Sequence, residues 1–285
     1  MEVQAFRQVG CGAMLVVDDL TASTRSFRSW AYFGLKKLQL DNRRTFLGSG
    51  WLVLSFALTV LGVGLLMSEL QGLVFREHVR YVALGFACWN FISAAIVSGC
   101  SVFLNNRSFL LQLRLPKTAF VHALMVRLSF ILILQMLTAI AIALFFGWRP
   151  TMTALEALPA LLFYILSGYG VALMLGCITT RFQDIAELTS SFIRIAFFFT
   201  PVIWLAERRA ARFTGEPVPE GEFSVMSFLF TWNPFAHYIE VVRGPLMGVT
   251  PSLISMIVVG ASTLILVGLG LLAFQMSGRR LNYWL

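Results

Sequence analysis

Long apolar runs separated by short charged islands set the pattern of this chain. Five runs reach, or nearly reach, the roughly 20 residues that a helix needs to cross a bilayer: 47–68, 81–104, 118–146, 157–180 and 252–274. A sixth, 188–206, is similar in length and carries one charge, Arg194. A chain in lipid must satisfy its own backbone hydrogen bonds, and no alternating barrel-type strands are present, so the runs read as helices. The pattern predicts an all-α, polytopic membrane protein with six transmembrane helices. Residues 1–46 are polar and basic, so they are expected to form an arm ahead of a transmembrane domain spanning 47–285, with no cleavable signal peptide.

Composition agrees with this reading. Charged residues make up 13% of the 285, against about a quarter in an ordinary soluble chain. Their distribution sets an orientation, because lysine and arginine collect on the cytoplasmic side. With both termini inside, fifteen basic residues fall inside and seven outside, while eight acids lie outside and six inside. The expectation is N-in, C-in.

One further apolar stretch, FSVMSFLFTWNPFAHY (223–238), is too short to span and is broken at Asn233-Pro234, where proline removes a donor and restricts the residue before it. It is read as the start of a re-entrant segment over about 223–245, with an interfacial helix as the alternative. The arm carries TRSFRSWAYFGLKKLQLDNRRTFLG, in which aromatic and leucine side chains alternate with basic ones. That mixture suits an amphipathic helix lying along a membrane surface, started by Thr21 or Ser23, better than a nucleic-acid patch. The loop NNRSFLLQLRLPKTAFVHALMVR (105–127) is more apolar than a free loop needs to be. Either a partner covers it or it caps the bundle. Between the fourth and fifth runs, TTRFQDIAEL (179–188) packs three charges into ten residues. At helical spacing Arg181 would pair with Asp184, worth roughly 0.2–0.5 kcal/mol.

No catalytic constellation is apparent. His78, His122 and His237 are scattered, the four cysteines lack metal-ligand spacing, and no phosphate-binding loop is present, so ATP hydrolysis is not expected in this chain. Arg127 and Arg194 are the main charges inside spans, and both read as snorkelling side chains or as functional groups. Without buried acids there is no proton or sodium relay of the kind secondary transporters use.

Four segments now stand in register: DNRRTFLGSGW entering the first span, RFQDIAEL after the fourth, FFFTPVIW in the fifth and WNPFAHYIEVVRGPLMG before the sixth, followed by a terminal RRLNYWL. In this order they resemble the membrane subunit of bacterial ABC exporters of surface polysaccharides, the group handling O-antigen, capsule and teichoic acid, from about Trp30 to Leu285. The resemblance implies an interface helix around Trp30, Lys36, Arg43 and Arg44, and an ATPase-coupling helix with Arg107, Phe109, Leu110, Leu113 and Lys117. It further implies a charged channel entrance at Arg181 and Asp184, and an outer gate of short re-entrant helices with Pro201, Asn233, Pro234, Glu240 and Arg243. By the same resemblance two copies pair with two ATPase subunits, which hold the ATP and magnesium. They move a lipid-linked polysaccharide across the bacterial inner membrane. The chain itself is then a transport subunit rather than an enzyme, with no metal, cofactor or nucleic acid of its own. The alternatives are an efflux permease for drugs or lipids and a membrane enzyme acting on lipid-linked sugars.

Overall fold

In a computed structural model, residues 16–41, 48, 50–112, 115–204, 232–278 and 280–285 are described, and among them every regular element is helical. A first helix, α1, covers residues 16–25 and breaks at Ser26 before α2 (Phe27–Asp41). The long helices follow: α3 (Gly50–Gln71), α4 (Phe75–Cys100), α6 (Thr118–Phe145), α7 (Ala157–Arg181) and α10 (Leu253–Ser277). Between them lie α5 (Arg107–Gln112), α8 (Asp184–Phe199) and α9 (Pro234–Leu246), and α11 (Leu281–Trp284) closes the chain. Thr21 and Ser23 lie within α1, so neither starts α2 as expected; Ser23 is buried instead.

Five of these helices are long and apolar enough to cross a membrane, so the chain is a multi-pass membrane protein. They match the five unbroken runs. The segment expected to make the sixth span behaves differently. Its helix α8 has 16 residues, about 24 Å at 1.5 Å per residue, against roughly 30 Å of hydrocarbon. It stops at Thr200 because Pro201 cannot continue a helix, although Pro201, Val202, Ile203 and Trp204 keep the run apolar. Helix α4 starts six residues before its expected position, because Arg76, Glu77 and Arg80 lower hydropathy without obstructing a helix. Glu77 in the first turn also suits the positive end of the helix dipole. Of the re-entrant segment, 223–231 lies outside the described residues, and 234–245 falls in α9, capped by Asn233.

The bundle closes through small residues. A Cβ added at Gly170 of α7 would lie 2.6 Å from the backbone of Leu266 and Val267 in α10, and Gly270 opposes Gly170 from the other side. Gly99 of α4 meets the Ala172 backbone of α7 in the same way, with a built Cβ 2.6 Å from Ala172 Cα. Helices in lipid gain little from excluding water, so close backbone approach supplies the contact that holds them together. Helix α4 is the most enclosed long helix; its stretch from His78 to Gly85 is buried except for Arg80. The two ends of the bundle are distinct. At one end lie α1, α2, α5, the α7–α8 turn and the C-terminus. At the other lie the break after α8 and the start of α9.

Candidate functional site

At the first end, the N-terminal helices are fastened to α6. Helix α6 has no side-chain cap of its own at Lys117. The Asp19 carboxylate takes that role from α1, accepting the backbone N–H of Lys117 and of Thr118, each at 3.0 Å, and the Thr118 hydroxyl at 2.6 Å. Trp30 donates its indole N–H to the Ser23 carbonyl at 2.8 Å and stacks on His122, whose ring meets Tyr169 at 4.9 Å. Gly34 lies directly on the Ala123 carbonyl, so α2 crosses α6 backbone to backbone. Lys36 is exposed on α2, whereas Arg43 and Arg44 lie outside the described residues.

Helix α5 sits beside this clamp. Leu110 points inward at 6% exposure, while Phe109 and Leu111 face out at 45% and 51%. The Phe33 ring of α2 makes edge-to-face pairs with Phe109 and with Phe120 of α6, at centroid distances of 5.5 and 6.1 Å. Phe33 thereby joins α5 to α6 through α2. Arg107 is exposed, and Leu113 lies outside the described residues. Lys117 reaches the other way and donates from Nζ to the Gly278 carbonyl at the end of α10. Burial there pulls its pKa below the usual lysine value, opposed by the nearby Asp19 carboxylate.

The α7–α8 turn lacks the ion pair its spacing suggested. Arg181 lies over the rings of Phe182 and Trp284, at 5.1 and 5.4 Å from their centroids, and Asp184 begins α8 where a carboxylate suits the helix dipole. The C-terminal aromatic therefore packs against the turn.

At the opposite end, the residues assigned to a gate converge. Asn233 caps α9, accepting the Phe235 N–H at 2.9 Å, with Pro234 pre-set for the first turn. Its amide also donates to the Phe199 carbonyl at 3.1 Å and the Thr200 hydroxyl at 2.9 Å, so one side chain joins the end of α8 to the start of α9. Arg243 is fully buried. It donates to the Pro201 carbonyl at 2.8 Å, and its guanidinium lies 3.7 Å from the centroid of the Tyr81 ring. The Tyr81 hydroxyl donates to the carbonyls of Pro201 and Trp204, and Gln71 donates to that of Ile203. Backbone carbonyls left without helical partners after a proline are thus satisfied by side chains from α3, α4 and α9. Glu240, 4% exposed, turns toward α10, where it accepts from Ser255; Ser255 also bonds His237.

Between the two ends runs a feature that the sequence reading did not assign. A groove of about 680 Å³ separates α4 from α8. Its upper part is aromatic: Phe197 lies 5.6 Å from both Phe86 and Trp89, and Trp89 contacts Phe235 at 5.7 Å. Below these rings the wall carries Asn90, Ser93 and Ser98 of α4 and Ser190 and Arg194 of α8. Asn90, Ser93 and Val97 follow Phe86 at helical spacing, so they share one face of α4. The available signal was a polar pair at i and i+3, Asn90 and Ser93, with Ser98 at i+8, within an apolar run. The three cysteines in long helices, Cys88, Cys100 and Cys177, are buried and free.

No protein-family model matches the chain. It is 23% identical over 171 residues to the O-antigen export system permease protein RfbA of Myxococcus xanthus; the match covers 59% of this chain and 65% of the length of that relative. The resemblance borne by the sequence motifs is thereby supported by an independent match, and the chain is similar to an O-antigen export permease.

Proposed function

We propose that this chain is the channel-forming permease of an ATP-driven exporter that moves a lipid-linked surface polysaccharide across a bacterial inner membrane. The observation that carries the reading is the groove between α4 and α8. A hydrated glycan cannot cross hydrocarbon and needs a protein-lined path. Aromatic rings present faces and edges to sugar rings without demanding one fixed hydrogen-bond pattern, and Asn90, Ser93, Ser98, Ser190 and Arg194 set polar groups into this mainly apolar wall. Facing lipid alone, Arg194 in that wall would be costly.

The rest follows from that reading. The chain is oriented N-in, C-in, with α8 and the residues after it completing a sixth crossing and α9 forming part of a re-entrant gate. Two copies face each other, so that each groove becomes half of a channel, and two separate ATPase subunits bind ATP and magnesium. Helix α5 is the docking point for the ATPase. Phe109 and Leu111 are its outward apolar residues, and Arg107 stands beside them. Leu110 serves differently, fixing α5 to the bundle from within. The contact of Phe33 with both Phe109 and Phe120 passes a push on α5 into α2 and α6. The charged turn at Arg181 and Asp184 forms the entrance.

Replacing both Phe109 and Leu111 with serine tests the reading. The permease should still accumulate in the membrane at its usual level. Co-purification of the ATPase should be lost, and surface polysaccharide should fall to the level of a strain lacking the gene. Undiminished co-purification and export would remove α5 as the docking element.

A further inference from the structure

Helix α8 carries one charged residue beyond its first turn, and it faces the groove. Arg194 stands ten residues from Asp184, about 15 Å along a helix of about 24 Å. Side chains on a helix tilt toward its N-terminus, and the guanidinium follows that tilt, donating from Nη2 to the Ser191 hydroxyl at 3.0 Å. That bond uses one of five N–H donors. Among the described residues no carboxylate pairs with Arg194, and none lines the groove. The side chain is exposed to the groove and reaches one turn down α8, as far as Ser191. On the export reading α8 lies in the membrane, where a cation with no acidic partner is costly unless water or a counter-anion reaches it.

From this we infer that Arg194 is an anion-binding station in the groove wall, taking an oxyanion carried by the cargo in transit. The inference rests on the export reading for its cargo and goes beyond it in naming the group recognised. A planar guanidinium presents paired donors that match phosphate or carboxylate oxygens. Across the groove the Asn90 amide adds neutral donors, and Ser93, whose hydroxyl donates to the Asn90 carbonyl, and Ser98 carry no charge, so the cation is left uncompensated. The site therefore holds an anion without neutralising it permanently, as a moving cargo requires. The same chemistry comes from two sources, the phosphate of a lipid carrier or an acidic sugar along the glycan.

The test uses the full chain in nanodiscs of neutral phosphatidylcholine, with binding of farnesyl diphosphate, farnesol and a uronic-acid oligosaccharide measured separately. Farnesyl diphosphate is expected to bind the native chain. Arg194→Gln should weaken that binding about tenfold or more, the scale of one lost charged hydrogen bond, while Arg194→Lys loses less. Farnesol should bind the native chain and the Gln variant alike. If the oligosaccharide alone shows the tenfold loss, the station reads acidic sugars rather than the carrier phosphate. Equal affinity of the native chain and the Gln variant for both anions overturns the inference. Should the Gln variant fail to insert, Asn90→Asp places a carboxylate in the same wall and must weaken anion binding likewise; unchanged binding there also overturns it. Because binding is read without transport, a failure here leaves the export reading standing. A failure of export in cells would not alter the affinities.

Discussion

Arg243→Ala is expected to destabilise the protein by roughly 3 to 5 kcal/mol, combining a lost charged hydrogen bond with a lost desolvated cation–π contact. The reason lies in the Pro201 carbonyl. Proline ends α8 there, leaving backbone acceptors inside the protein, and Arg243 supplies one of the donors that satisfy them. Its removal also uncovers the face of Tyr81, whose hydroxyl serves the same segment. Thermal unfolding of the purified chain in detergent measures the loss. Arg243→Lys should recover only part of it, because a compact ammonium cannot both lie flat on Tyr81 and reach Pro201. If alanine leaves the unfolding temperature unchanged, the segment after α8 is held by something other than this side chain.

The second large effect is expected at Gly170. Leucine there must displace the backbone of Leu266 and Val267, which are not flexible side-chain ends that swing aside. Overpacking of a tight site costs about 1–3 kcal/mol and more where backbone is the obstacle. Here it separates α7 from α10, the most extensive helix pair in the bundle. The expected result is a loss of the monodisperse peak on size-exclusion chromatography and little protein in the membrane. Gly268→Leu, two residues from Gly270 but facing open space within the chain, is the matched control and should behave like the native protein. Equal behaviour of the two variants would mean that close approach at Gly170 is not what joins these helices.

The parts of this architecture that were legible in the sequence are those set by continuous local composition. The runs that became α3, α6, α7 and α10 are apolar along nearly all their length, and isolated polar residues such as Arg127 do not interrupt their helices. Hydropathy failed where a residue acts through geometry rather than polarity. Pro201 leaves the run apolar while ending α8, and Arg76 and Glu77 are charged while continuing α4. Pro201, Asn233 and Arg243 were grouped by a resemblance; in the fold Asn233 bonds Thr200 and Arg243 bonds the Pro201 carbonyl, contacts that no local pattern encodes. Contacts between distant positions had no local signature. Asp19 caps a helix nearly a hundred residues away, and Arg181 meets Trp284 rather than its neighbour Asp184. In α5 the inward Leu110 and outward Leu111 are adjacent leucines in a helix of six residues, too short for periodicity to separate them. Arg194 was visible as a charge in a span, but its significance depends on Asn90 and Ser93 lying opposite, which only the packing of α4 against α8 provides.

The central claim is export of a lipid-linked glycan, and deletion of the gene in its own host tests it most directly, with surface polysaccharide and its lipid-linked precursor measured together. The account predicts a bare surface, precursor held on the inner side of the membrane, and restoration of both by the intact gene. A normal surface with no precursor build-up would contradict it.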